Sequence, residues 1–240
     1  QGKIIKTLNS RFHKKMGIMP SMSATSINTY MVCPLQYKYK YIYKIKGSSD
    51  KIYIHIGKLI HKILEEFHRN GYNDFESLLN LLKKEWGGYR FKYKQEETQH
   101  REDAEEMLKN YWNYLQLNPA NSALVEHPFS FNLGSLTLEG KCDRIDIDTD
   151  KNITIIDYKT SKKKESEIQV KRNIQLGIYA LFLELEGIEW NGKKNKGIPE
   201  KISVLFLRDE SPEVSVRLKQ IDLDNLIKKI NSISDNIKTG

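Results

Sequence analysis

The apolar positions of this chain change period near residue 119. Before that point they recur every three or four residues. In "YIHIGKLIHKILEEFHRNG", Ile56, Leu59, Ile60, Ile63 and Phe67 form one stripe, which predicts an amphipathic helix ended by Gly71. "DFESLLNLLKKEW" and "REDAEEMLKNYWNYLQL" predict two further helices. "SATSINTYMVC" offers a serine cap and a helical pattern stopped by Pro34. "QYKYKYIYKIKG" alternates Tyr or Ile with Lys, a pattern that suggests a strand ambiguously. After Pro119, "ALVEHPFSF", "SLTLEGKCDRIDID" and "ITIIDYKT" read as three consecutive antiparallel strands. A long helix over about 167–186 is expected next, then strands in "KISVLFLRD" and "EVSVRL", and a closing amphipathic helix in "LDNLIKKINSISDNIK". The expected fold class is mixed α/β (α+β). Residues 1–20 are expected to be a basic linker or arm, and 21–240 a single domain. Within it, 21–118 is helical, 119–220 a βββαβ core and 221–240 a C-terminal helix.

The second and third strands pose a chemical question. Pairing them about Asp150 sets Ile147 opposite Ile153 and Ile145 opposite Ile155, and a one-residue slip spoils both apolar rows. The same register sets Asp143 opposite Asp157 at the end of an apolar face. Like charges placed so are destabilising, and burying them is worse. Lys159, two residues beyond Asp157 on the same face, contributes compensation but leaves carboxylate oxygens to spare. A divalent cation such as Mg²⁺, which takes one or two carboxylates and keeps several waters, compensates more fully. The alternative is a solvated sheet edge with Lys159 as a surface partner. Alternation puts Cys142, Arg144 and Asp146 on the face away from Asp143, with Arg144 structural or phosphate-facing. Glu126 reads as a strand-surface carboxylate, with a place behind a metal as its alternative.

Composition narrows the partners. The 240 residues carry a net charge of +8, which favours anionic partners, nucleic acid among them. No apolar run is long enough for a membrane span, and no signal-peptide pattern opens the chain. Two cysteines, Cys33 and Cys142, suggest no disulfide framework, so an intracellular (cytoplasmic, nucleoid-associated) setting is expected. Two carboxylates, a metal and a lysine suit phosphodiester hydrolysis. "YKYKYIYK" suits stacking and phosphate contacts with single-stranded nucleic acid, or equally tyrosines on the core beside snorkelling lysines.

"GKCDR…IDYKTSK" resembles the PD-(D/E)XK nucleases, and within them the RecB-like branch: G-x-x-D-R, then a strand ending D-x-K, here Asp157-Tyr158-Lys159. "GKLIHKILEEFH" resembles that branch's upstream helix with its histidine, here His61. "QLGIYA" matches its Q-x-x-x-Y helix, giving Gln175 and Tyr179, and "SATSINTYMVCPLQYKY" looks like its serine-rich helix leading to Cys-Pro. The resemblance covers about residues 21–210. It implies a restriction-endonuclease-like core, a central mixed sheet flanked by helices, in which 119–220 is the catalytic part. It also implies Mg²⁺ or Mn²⁺ held by His61, Asp143, Asp157 and the Tyr158 carbonyl. Lys159 would be the catalytic lysine, and Gln175 and Tyr179 would support the active site or the DNA. His55, His68 and His127 receive no role.

Many RecB-like nucleases carry a [4Fe–4S] cluster on four cysteines. Cys33 matches the first, but the C-terminal trio is absent, so no complete cluster is expected in this chain. The chain stops about where the trio would begin, and it opens on Gln1 with a basic stretch, as a piece of a longer protein would. The expected activity is a divalent-metal-dependent DNase, an exonuclease on single-stranded DNA or DNA ends in repair or recombination. Its partners would be DNA and a helicase domain or subunit. Other readings are a CRISPR-adaptation nuclease and a non-catalytic DNA-binding module with the nuclease fold. The intact Asp143, Asp157, Lys159 set favours an enzyme.

Overall fold

The structure, a computed structural model, describes residues 21–45, 52–87, 91–120 and 122–239; the expected arm at 1–20 lies outside them. Helix α1 (Ala24–Val32) starts from a reciprocal cap. Ser23 Oγ accepts from the Ser26 N–H, and Ser26 Oγ accepts from the Ser23 N–H. Cys33 ends α1 and starts α2 (Pro34–Tyr37), whose first residue is Pro34. The chain then runs on as a π-helical turn, Lys38–Ile42. This corrects the strand suggested for "QYKYKYIYKIKG", whose last residues, 46 and 47, lie outside the described ones. Tyr37 and Tyr41 stand four apart, so a helix puts both on the core side, where Tyr30 meets Tyr37 edge-on.

Three longer helices follow: α3 (Ile52–Arg69), α4 (Phe75–Glu85) and α5 (Lys94–Leu117). Gly71, at φ 67°, supplies the left-handed residue after α3. Strands β1 (Ser122–Leu133), β2 (Leu136–Ile147) and β3 (Ile153–Lys159) form an antiparallel meander. The expected long helix is broken into α6 (Glu167–Lys171) and α7 (Ile174–Leu185). Asn173 makes the break, because its side-chain oxygen accepts from the Gln175 N–H at 2.9 Å and caps α7. A small hairpin, β4 (Ile188–Trp190) with β5 (Lys193–Asn195), precedes β6 (Lys201–Phe206), β7 (Glu213–Val216) and α8 (Gln220–Thr239).

The fold is mixed α/β: N-terminal helices, a central five-stranded mixed sheet and flanking helices. Sheet order is β1-β2-β3-β6-β7, with β6 parallel to β3 and the other pairs antiparallel. β1 is an edge strand, where Pro128 is tolerated. Alternation along β3 and β6 feeds two cores. Ile153, Ile155, Ile202 and Val204 pack with residues of α1, α7 and α8. Ile156, Tyr158 and Leu205 pack with α3, α4 and α5. Each fully buried aliphatic side chain contributes about 1.5–3 kcal/mol, so the two layers fix how α3 and α7 sit against the end of β3. Among the described residues no helix is long and apolar enough to cross a membrane.

Candidate active site

The β2–β3 register is the one the apolar rows require, Ile147 with Ile153 and Ile145 with Ile155, and it runs to Arg144 with Ile156. Asp143 and Asp157, which the same register would pair next, stand just past that ladder. There the Tyr158 N–H donates to Asp143 Oδ2 at 2.8 Å, so a side chain has replaced a strand partner.

The same point interrupts β1 against β2. Val125 pairs with Arg144 and His127 with Cys142, and between them Glu126 has a left-handed backbone, φ 48°. Such a conformation is unfavourable for a non-glycine residue and concentrates where function demands it. Its effect is a change of phase. Leu124 and Phe129 reach one core layer, as do Cys142 and Ile145, although strict alternation would separate both pairs. Cys142 therefore does not point to the opposite layer, as alternation predicts; it lies buried in the same core as Ile145. Arg144 goes to the other layer and is structural. It is 1% exposed and paired with Asp146 at 3.0 Å.

Helix α3 brings His61 to this interruption. Its Nδ1 lies 3.4 Å from Asp143 Oδ1 and 3.8 Å from Glu126 Oε1, and its Nε2 is 3.1 Å from the Tyr158 carbonyl oxygen. Gly57, one turn earlier, lets α3 lie close to the end of β3; a Cβ there would meet Thr160 Oγ1 at 3.1 Å. Glu126 is buried and also pairs with Lys141 Nζ, so it is not the surface carboxylate the sequence suggested. What sequence reading lacked was the left-handed turn at 126, which no composition or period announces.

From the α7 side come Gln175 and Tyr179. Gln175 Nε2 donates to Asp157 Oδ1 at 3.1 Å and to the Tyr179 hydroxyl at 2.5 Å, and its Oε1 accepts from Lys159 Nζ at 3.3 Å. Lys159 Nζ lies 2.6 Å from Asp157 Oδ2. The structure thus brings His61, Asp143, Asp157, the Tyr158 carbonyl, Lys159, Gln175 and Tyr179 to one end of the sheet, and adds Glu126 and Lys141.

Electrostatics mark the same place. Burial raises the Asp157 carboxyl to about 6, with the charge of Asp143 adding and that of Lys159 opposing. Burial by itself would lower the His61 imidazole, but hydrogen bonds to Asp143 and Glu126 and the nearby carboxylate charges override it and hold the ring at about 10. Burial likewise opposes the charge on Lys159, yet Asp157 keeps its ammonium above the usual lysine range. The cluster demands positive charge, and a proton on His61 supplies part of it. Ligand atoms of His61, Glu126 and Asp143 lie within 4.8 Å of one another. One imidazole among carboxylate and carbonyl oxygens suits a hard divalent cation, which would take the place of the imidazole proton.

The sequence pattern of the PD-(D/E)XK nuclease superfamily matches residues 21–240. Among curated proteins none matches the chain. The crystal structure of a "putative exonuclease" from Eubacterium rectale superposes with a TM-score of 0.57 at 13% identity, over 92% of this chain and 82% of that one, a likeness of fold. SSO0001, also a crystal structure, overlaps over 86% of each chain at 13% identity, but its TM-score of 0.31 carries no argument.

Proposed function

The chain belongs to the PD-(D/E)XK nuclease superfamily, and from that premise we propose that it is a divalent-metal-dependent DNA nuclease of the RecB-like kind, acting as an exonuclease on single-stranded DNA or DNA ends. Membership implies a nucleic-acid substrate; the choice of DNA, of ends and of the branch is our reading. The observation that carries it is the meeting of His61, from α3, with Asp143 and the Asp157-Tyr158-Lys159 strand end.

In this reading His61, Asp143, Asp157 and the Tyr158 carbonyl hold Mg²⁺ or Mn²⁺, with Glu126 beside them. When bound, the cation polarises the scissile phosphate and lowers the pKa of an attacking water. The protein's own groups do the rest. Lys159 extends its ammonium from the end of β3 and stabilises charge developing on the phosphate. Gln175 bridges Lys159 and Asp157, so it holds the ammonium and the cation-binding carboxylate at a fixed distance. Tyr179 sets the rotamer of Gln175 through its hydroxyl. The net positive charge of the chain, +8, draws in the polyanion.

The test is cleavage of end-labelled single-stranded DNA with Mg²⁺, with Mn²⁺ and with EDTA, beside Asp157→Ala. Metal-dependent cleavage lost in a folded variant is expected, with a product ladder that starts from an end. Retained DNA binding with no cleavage under either metal would replace the enzyme by a binding module.

A further inference from the structure

Behind the site, on the α3–α5 side of the sheet, lies a second polar cluster that the proposed chemistry does not use. The Tyr111 hydroxyl is its hub. It accepts from Arg144 Nη1 at 2.6 Å, lies 3.1 Å from the Tyr158 hydroxyl and is hydrogen-bonded to His68 Nε2. Arg144 Nη1 is also 3.4 Å from the Tyr158 hydroxyl and 3.2 Å from His68 Nε2. Tyr111, Arg144 and Tyr158 are almost wholly buried.

Two of the tied residues connect to the site, Tyr158 by contact and His68 through its helix. Tyr158 is fixed in this cluster by its phenol, while its backbone N–H donates to Asp143 and its carbonyl faces His61. His68 is on the same helix as His61 and seven residues further on, two turns along one face. Holding His68 therefore holds both the rotation and the height of α3, and with them His61. The cluster grips the helix and the strand whose separation sets the cation site.

We propose that Tyr111 and Arg144 are positioning residues, which clamp the Tyr158 phenol to His68 and so fix the spacing of the Tyr158 carbonyl, Asp143 and His61 for a divalent cation. This rests on the metal-site reading above. Stability alone is a poor reason for the arrangement, because well-packed apolar residues commonly match or exceed a buried charged network. What such a network adds is one permitted register, since each member accepts only one geometry.

Tyr111→Phe removes the hub oxygen and leaves the ring packed. Leu136→Ala, at the far end of the β1–β2 hairpin, is the control: it destabilises without touching the clamp. Mn²⁺ binding by titration calorimetry and the exchange rate of the Tyr158 amide, by hydrogen exchange without metal, are measured on both and on the unaltered chain. Tyr111→Phe is expected to weaken Mn²⁺ binding by about tenfold and to speed Tyr158 exchange more than exchange elsewhere in β3. Leu136→Ala should do neither. The Tyr111→Phe/Tyr158→Phe pair should lose no more than either change alone, because both cut one linkage. Tyr111→Phe with unaltered Mn²⁺ affinity and Tyr158 exchange would overturn the clamp and leave the metal site standing. An unaltered chain that binds no Mn²⁺ would overturn the metal site, and Tyr158 exchange would then decide the clamp by itself.

Discussion

Two polar clusters lie back to back across the β2–β3 junction, and they are built on opposite terms. Behind the sheet, Arg144 meets one carboxylate, Asp146, and otherwise tyrosine hydroxyls and His68. Burial and the Arg144 charge hold His68 down at about 3, so it is neutral. That cluster is balanced in charge. At the strand end, Glu126, Asp143 and Asp157 face Lys141, Lys159 and an imidazole kept charged by its surroundings. That cluster needs the imidazole proton to balance its three carboxylates, and Lys159 opens it to solvent. Burying charge is common to both; a balance that rests on a proton a cation could displace belongs to the site alone of these two. It separates a place built to bind from a place built to hold.

The comparison breaks if neutralising a charge has the same consequence in both clusters. Asp157→Asn is expected to lower cleavage by about a thousandfold or more, since it removes the proposed cation ligand and the partner of Lys159. Its melting temperature at pH 8 with EDTA should stay level or rise, because burial and Asp143 already disfavour the charged form of Asp157. Arg144→Leu should do the reverse on stability. It strands Asp146 and the polar groups around it, and about 3–5 kcal/mol is the expected loss by urea denaturation. A destabilised Asp157→Asn, or an Arg144→Leu of full stability, would erase the distinction.

The distinction was partly legible in the sequence. The hairpin register followed from two apolar rows that match in one way, and it carried Asp143 and Asp157 to the same end of the sheet. The stripe from Ile56 to Phe67 gave α3 and the face next to His61. Glu126 was not legible, because its burial comes from a left-handed residue that flips the strand's phase, and alternation rules assume no flip. The Arg144 cluster was hidden for a related reason: its partners come from α3, α5 and β3, and nothing local in the sequence pairs them. In "QYKYKYIYKIKG" the i, i+2 alternation competed with the i, i+4 pair Tyr37 and Tyr41, and packing on the core decided for the helical turn.

A smaller effect sharpens the comparison from the cation's side. Mn²⁺ at about a hundred times its dissociation constant should add about 2.7 kcal/mol of stability, roughly 5–10 °C of melting temperature for a chain of this size. Differential scanning calorimetry with and without Mn²⁺ reads it. The rise should vanish in Asp143→Asn and persist in a variant of the α8 surface such as Lys228→Ala. An equal rise in Asp143→Asn would put the bound cation elsewhere.

The smallest effect is the most direct, because His61 and His68 share one helix and differ in the cluster each enters. His68 is lowered from 6.5 to about 3 on folding. The unfolded chain therefore takes up its proton first as pH falls, so the stability from keeping His68 neutral is complete above about 6.5 and lost on descent towards 3. His61, without metal, is raised from 6.5 to about 10. Its contribution is complete below 6.5 and lost as pH climbs through 10, because the unfolded chain then gives up the proton that the folded cluster retains. Urea unfolding in EDTA across pH 4–10 should give His68→Gln a flatter acid limb than the unaltered chain, and His61→Gln a flatter alkaline limb. If the two variants altered the same limb, the clusters would not differ in charge demand, and His61 would have no standing proton for a cation to displace.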